Sequence, residues 1–266
     1  MDMNKQKLNV TIIQTNLNWE NKVVNLLHIE ELINSIESET DLIILPEMFS
    51  TGFSMNSKLL AEDESGVTVN WMKQISKKNN CLLIGSIIAE QEHKYFNRLY
   101  CVFPNGNFLT YDKRHLFSYG NEHLHYYSGN EQLIVDWLGW KICPLICYDL
   151  RFPVWSRNTM NYDLLIYVAN WPNRRAFAWN TLLKARAIEN QSYTIGVNRV
   201  GVDGIGLEYS GDSQILDFVG NTLFEISNVE CQKTISLDKE SQIAFRSQFG
   251  FLNDQDKFNI NYQQLE

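Results

Sequence analysis

Lys141-Ile-Cys-Pro-Leu-Ile-Cys147-Tyr-Asp-Leu-Arg151-Phe-Pro153 sets the grammar of this chain. Ile142 to Ile146 is an apolar run of strand length, and Asp149 with Pro153 signals a turn and then a helix start. A short helix is expected over Arg151 to Met160. The same order follows at once: Asp163 to Ala169, containing Leu164-Leu-Ile-Tyr-Val168, reads as a strand. Ala176 to Glu189 reads as a helix with Ala178, Leu182, Ala185 and Ile188 on one face, and Tyr193 to Asn198 as a further strand. Strands that are apolar nearly throughout, rather than alternating, belong to sheets covered on at least one face by helices. The fold class is therefore α/β.

Upstream of that core the pattern is similar. Leu8 to Ile13 reads as a strand, and Asn18 to Ser38 as an amphipathic helix with Leu26, Ile29, Ile33 and Ile36 at helical spacing. Leu42 to Leu45 is a strand, Trp71 and Ile75 lie on a helix, and Cys81 to Ala89 is a strand. Leu99 to Phe103 and Asn107 to Tyr111 flank Pro104-Asn-Gly106, a hairpin turn. Downstream, Ser210 to Gly220 is hairpin-like. At 266 residues the chain falls within the range of one large α/β unit. No linker interrupts it, so residues 1–245 are read as one domain. Residues 246–266 form a polar tail with scattered aromatics (Phe249, Phe251, Phe258, Tyr262). Alone it would be poorly ordered, and it is expected to pack on the domain or on a partner subunit.

Bulk properties exclude several classes. A net charge of −8 disfavours sequence-independent nucleic-acid binding or attachment to an anionic membrane, both of which need a basic surface. No run approaches the roughly 18 apolar residues of a membrane span. Met1 to Asn9 lacks the apolar core of a signal peptide, which makes the cytoplasm the expected location. The five cysteines (Cys81, Cys101, Cys143, Cys147, Cys231) are odd in number and scattered, against a disulfide framework. Cys143 and Cys147, four apart on one strand, stand roughly 13 Å from each other, too far for a disulfide or a shared metal. His123 and His125 can share a strand face, but no third ligand accompanies them, so neither metal nor cofactor is expected.

Three segments carry chemistry. Cys147 ends a buried strand where a helix begins, and backbone N–H groups aimed at a thiol lower its pKa and can hold an oxyanion. The competing reading is a buried cysteine acting as a small hydrophobe. Asp41-Leu-Ile-Ile-Leu45-Pro46-Glu47-Met-Phe-Ser-Thr51-Gly52-Phe53 ends a second apolar strand in a carboxylate, which is costly unless paired or used. The alternative for Glu47 is a cap at the rim of the core. In Tyr111-Asp-Lys113-Arg-His115-Leu-Phe117 a lysine stands among aromatic and aliphatic residues, or else snorkels at the surface.

Taken in chain order, LPEMF around Glu47, YDKRHLF around Lys113 and PLICYDLRFP around Cys147 resemble the nitrilase (carbon–nitrogen hydrolase) superfamily, whose members carry a Glu-Lys-Cys triad. The resemblance runs from Leu8 to Gly220. LPEMFSTGFSM (Leu45 to Met55) and Asn121-Glu122-His123-Leu-His125-Tyr-Tyr-Ser-Gly129 are similar to the bacterial omega-amidase branch, which removes the terminal amide of 2-oxo acid monoamides such as 2-oxoglutaramate and 2-oxosuccinamate. The resemblance implies a four-layer α-β-β-α sandwich of two mixed β-sheets flanked by helices, and a homodimer. It also implies Cys147 as nucleophile, Glu47 as base, Lys113 and the Tyr148 backbone N–H as oxyanion donors, and Glu122 as a second carboxylate near the lysine. Glu122 is otherwise a solvated loop residue. For a distal carboxylate, Arg151 and either Arg174 or Arg175 are candidates, since a guanidinium grips a carboxylate with two hydrogen bonds. Arg151 can equally pair with Asp149 or Glu47. Phe53, Tyr119 and Trp171 are candidate pocket walls. Two alternatives stay open: another carbon–nitrogen hydrolase (of a carbamoyl amino acid, other amide or nitrile), and a non-catalytic binding relative.

Overall fold

The computed structural model describes residues 5–260. The first sheet holds β1 (Lys7–Gln14), β2 (Leu42–Ile44), β3 (Leu82–Gln91), β4 (Lys94–Val102), β5 (Phe108–Asp112) and the late strand β13 (Cys231–Asp238), ordered β13-β1-β2-β3-β4-β5. β1, β2 and β3 run parallel, and β4, β5 and β13 join antiparallel. The second sheet holds β6 (Val135–Trp137), β7 (Trp140–Ile146), β8 (Leu164–Ala169), β9 (Tyr193–Asn198), β10 (Val200–Val202) and β11 (Glu208–Leu216), ordered β10-β11-β9-β8-β7-β6, with β12 (Thr222–Ser227) paired to β11. Its centre, β7-β8-β9, is again parallel.

Alternation within the strands sets the layers, because successive side chains point to opposite faces. Leu8, Val10 and Ile12 of β1, with Leu42, Ile44, Leu82 and Ile84, pack against Ile142, Leu164 and Ile166 of the second sheet. Their neighbours Ile13, Ile43, Leu83 and Tyr100 face outward onto α1 (Lys22–Asn34) and α3 (Val67–Asn79) through Leu26, Ile29, Ile33, Met72 and Ile75. On the far side α5 (Ala176–Asn190) lays Trp179, Leu183 and Ala187 on the second sheet. The result is the four-layer α-β-β-α sandwich. Two four-residue helices, α2 (Ser57–Leu60) and α4 (Pro153–Ser156), and the late α6 (Lys239–Gln248) complete it.

Several elements differ from the sequence reading. The first helix begins at Lys22 and ends at Asn34, because Asn21 caps it by accepting from the Val24 N–H and the chain leaves helical geometry after Ser35. The helix expected over Arg151 to Met160 is a 3-10 turn, Cys147–Arg151, followed by only Pro153–Ser156. On α5 the buried face is Trp179, Leu183, Arg186, Ala187 and Asn190, whereas Ile188 is exposed. His123 and His125 lie on and just after a 3-10 turn, Glu122–Leu124, and are exposed rather than sharing a strand face.

The polar tail begins inside α6. Phe245 and Phe249 continue a line of ring contacts from Phe218 to Phe251, Arg246 donates to the carbonyls of Gln191 and Tyr162, and Ile260 packs against the hydrophobic core. Tyr262 lies outside the described residues.

Candidate active site

Parallel strands leave their carboxyl ends on one side of a sheet, and loops leaving those ends converge. Here Glu47 stands three residues after β2, Cys147 directly after β7 and Asn170 directly after β8, while Lys113 follows β5. Cys147 adopts φ 44°, a left-handed conformation that costs a residue with a Cβ about 1–2 kcal/mol. The turn is held from both ends. The Ile146 N–H donates to Asp149 Oδ2 at 3.1 Å, and Arg186 Nη2 from α5 donates to the Leu150 carbonyl at 2.6 Å. Tyr148 is the second residue of the 3-10 turn, so its N–H has no carbonyl partner within that turn.

Around the thiol lies a fully buried ionic cluster. Lys113 Nζ donates to Glu47 Oε1 at 2.8 Å and to Glu122 at 3.0 and 2.9 Å. Asn97 Nδ2, from β4, donates to Glu47 Oε1 at 2.7 Å and to Glu122 Oε1 at 3.1 Å. The Phe117 N–H donates to Glu122 Oε2 at 2.6 Å, and the Asn170 N–H to Glu47 Oε2 at 2.7 Å. The Lys113 N–H in turn donates to the Asn97 carbonyl at 3.0 Å. Glu47 is therefore no rim cap, Lys113 no snorkelling surface lysine and Glu122 no solvated loop residue.

The electrostatics follow from burial and charge. Burial would lower the Lys113 pKa, but the Glu122 and Glu47 carboxylates outweigh it and hold the ammonium above its ordinary value. Burial raises Glu122; Lys113 opposes that rise and the like charge of Glu47 adds to it. Cys147 is pushed well above the usual thiol range, first by burial and then by Glu47, with Lys113 acting the other way. The lowering that a helix start suggests for this thiol is thus outweighed by burial and by the carboxylate beside the sulfur.

In front of the thiol is a cavity of about 240 Å³. Phe53, Tyr119 and Trp171 all border it, Tyr119 from an exposed rim position, and Lys113 Nζ sits 5.1 Å from the Phe53 ring centre. Arg151, Arg174 and Arg175 line it as well. The Arg151 guanidinium lies 4.9 Å from the Trp171 ring centre and that of Arg175 lies 5.0 Å from Phe117. None of the three forms an ion pair among the described residues, so Arg151 is not the partner of Asp149 or Glu47. Burial and then the nearby Arg174 hold the Arg175 pKa below its ordinary value.

Four participants escaped the sequence reading. Asn97 and Asn170 organise Glu47, and Asp149 organises the turn. Asp203 borders the cavity, but its carboxylate is occupied by the Tyr209 hydroxyl at 2.9 Å and the N–H groups of Ile205 and Leu207 at 3.0 and 2.9 Å. Asn170 sits in the quoted Ala169-Asn170-Trp171-Pro172, where a polar residue ending an apolar strand was the available signal. Asn97 gave none, since it acts through side-chain bonds to residues far along the chain, and Asp149 signalled only the turn, not its bonds to Tyr111 and His115.

The chain belongs to the carbon–nitrogen hydrolase family, whose sequence model it matches over residues 9–242. It is an enzyme of that class. Omega-amidase YafV of Yersinia enterocolitica is 46% identical over 94% of this chain and 98% of its own. A 2-oxoglutaramate amidase of Bacillus subtilis (strain 168) is 30% identical over 93% and 97%. The crystal structure of XC1258 from Xanthomonas campestris, a CN-hydrolase superfamily protein with an arsenic adduct in its active site, superposes with a TM-score of 0.95. It is 41% identical and covers 97% of this chain and all of its own.

Proposed function

We propose that the protein is an ω-amidase that releases ammonia from the terminal amide of short 2-oxo dicarboxylate monoamides through a thioester on Cys147. One observation carries this reading. A single cavity is bordered by the Cys147 thiol, by Lys113, which the buried Glu47 and Glu122 hold, and by three arginines with no carboxylate partner among the described residues. An amide is a poor electrophile, so sulfur divides the hydrolysis into acylation and deacylation. Glu47 takes the Cys147 proton as Sγ bonds to the amide carbon. The resulting oxyanion is met by the Lys113 ammonium and the Tyr148 N–H. Glu47 then gives its proton to the nitrogen, the C–N bond breaks and ammonia leaves. In the second half Glu47 deprotonates water, hydroxide adds to the thioester, and the C–S bond breaks as the acid departs and sulfur regains a proton. Glu122 keeps Lys113 in place and shares its charge.

The distal carboxylate is assigned to Arg151 or Arg175. Ammonia release should be measured across 2-oxoglutaramate, 2-oxosuccinamate, glutamine, asparagine, a carbamoyl amino acid and a simple nitrile. The two 2-oxo acid monoamides should lead; preference for the nitrile or carbamoyl compound would overturn the assignment. Arg→Ala at the binding position should then lower kcat/KM for 2-oxosuccinamate by about 1.5–3 kcal/mol, roughly ten- to a hundredfold, and leave a neutral short amide nearly unaffected. Equal losses on both substrates would make the arginine structural.

A further inference from the structure

Asp149 takes no part in the chemistry above, yet it is fully buried two residues beyond the nucleophile. Its Oδ1 accepts from the His115 N–H at 3.0 Å and from His115 Nδ1 at 2.8 Å. Its Oδ2 accepts from the Tyr111 hydroxyl at 2.7 Å and the Ile146 N–H at 3.1 Å. A carboxylate oxygen only accepts, which places the imidazole proton on Nδ1. Burial, and then the Asp149 charge, push the Tyr111 pKa well up, keeping that hydroxyl a donor. Tyr111 and His115 stand two residues before and two after Lys113. The same carboxylate thus grips the lysine segment on both sides and, through Ile146, the residue from which Cys147 turns. The clamp is braced from outside. Trp155 Nε1 and the Arg114 N–H donate to the Tyr111 hydroxyl at 2.9 and 3.2 Å, and the His115 ring stacks on Phe152 at 3.7 Å between centres.

We infer that Asp149, with His115 and Tyr111, is a positioning residue that holds Lys113 in register with the Cys147 turn, so that the oxyanion donor and the nucleophile meet the same carbonyl. The inference rests on the reading of Cys147 and Lys113 given above. His115 does not border the cavity and its side chain is partly exposed, so replacing it tests the clamp without emptying the core.

The variants are His115→Ala, His115→Asn, whose amide N–H can stand where Nδ1–H does, and Asp149→Asn, which sets an amide against four donors. Steady-state kinetics on 2-oxosuccinamate, thermal melting, and iodoacetamide labelling of Cys147 and Cys231 followed by peptide mass mapping are measured on each. His115→Ala is expected to lower kcat by about ten- to a hundredfold with KM within about twofold, since small misplacements at a reacting centre are that costly. His115→Asn should recover most of the loss. Labelling of Cys147 should slow in His115→Ala and Asp149→Asn while labelling of Cys231 is unchanged. If kcat and Cys147 labelling stay within about twofold of the parent in His115→Ala, or if His115→Asn gives no rescue, the clamp has no positioning role. Should Asp149→Asn fail to fold, the two His115 variants still decide. Labelling needs no turnover, so it reads the clamp even where Cys147→Ala had shown the nucleophile to be wrong.

Discussion

At the scale of single residues, the ionic cluster is one ammonium between two carboxylates with no water-exposed atom. Burial raises the Glu122 pKa, and the like charge of Glu47 adds to that rise. Glu122→Gln retains the shape of the side chain and removes one of the two charges that hold the Lys113 ammonium. kcat should fall because Lys113 loses an anchor; an unchanged kcat in steady-state kinetics would show that Glu122 is not needed to hold the lysine. At this scale the sequence was most legible where a charged or nucleophilic residue ends an apolar run, as at Glu47 and Cys147. It was silent on Asn97, whose partners lie 50 and 25 residues away.

Among the secondary-structure elements, α5 and β9 show what fixes the layers. Gly196 lies on β9 directly beneath the helix, and a Cβ there would stand 2.5 Å from Leu183 Cδ1 and 2.6 Å from Trp179 Cζ2. Both side chains are fully buried. Gly196→Ala should accordingly destabilise the fold by about 1–3 kcal/mol through overpacking, visible as a lowered midpoint in urea with unchanged slope. An unchanged midpoint would mean that the helix shifts freely on the sheet. The same contact explains why the sequence misjudged this helix. Counting Ala178, Leu182, Ala185 and Ile188 weighs aliphatic spacing alone, whereas the sheet offers a glycine notch that Trp179 and Leu183 fill. Strands were easier to read, because β2, residues 142–146 of β7 and β8 are buried on both faces and spell apolar runs. The turn between β3 and β4 gave no such sign. It is made by Glu92 and His93, both at positive φ, where neither glycine nor asparagine marks it.

For the whole molecule, the two sheets bring strand ends from opposite halves of the chain together, so that Lys113 and Cys147 border one cavity. No helix among the described residues is long and apolar enough to cross a membrane. A symmetric homodimer is proposed, since closed two-fold assemblies are the commonest oligomers and Phe177 on α5 and Val154 on α4 are exposed apolar side chains suited to a helical contact. Light scattering at micromolar concentration should give twice the chain mass, and a monomeric mass would refute it. The central claim, however, is that one sulfur carries the reaction. Cys143 and Cys147 lie on the same strand and turn, yet Cys143 faces the core, where burial lifts its thiol pKa to about 12, while Cys147 borders the cavity. The most direct measurement is ammonia release from 2-oxoglutaramate by Cys147→Ala and Cys143→Ala, both checked for native melting. Cys143→Ala should retain most of the parent rate and Cys147→Ala should release none above background; release by folded Cys147→Ala at a rate comparable to the parent would contradict the account.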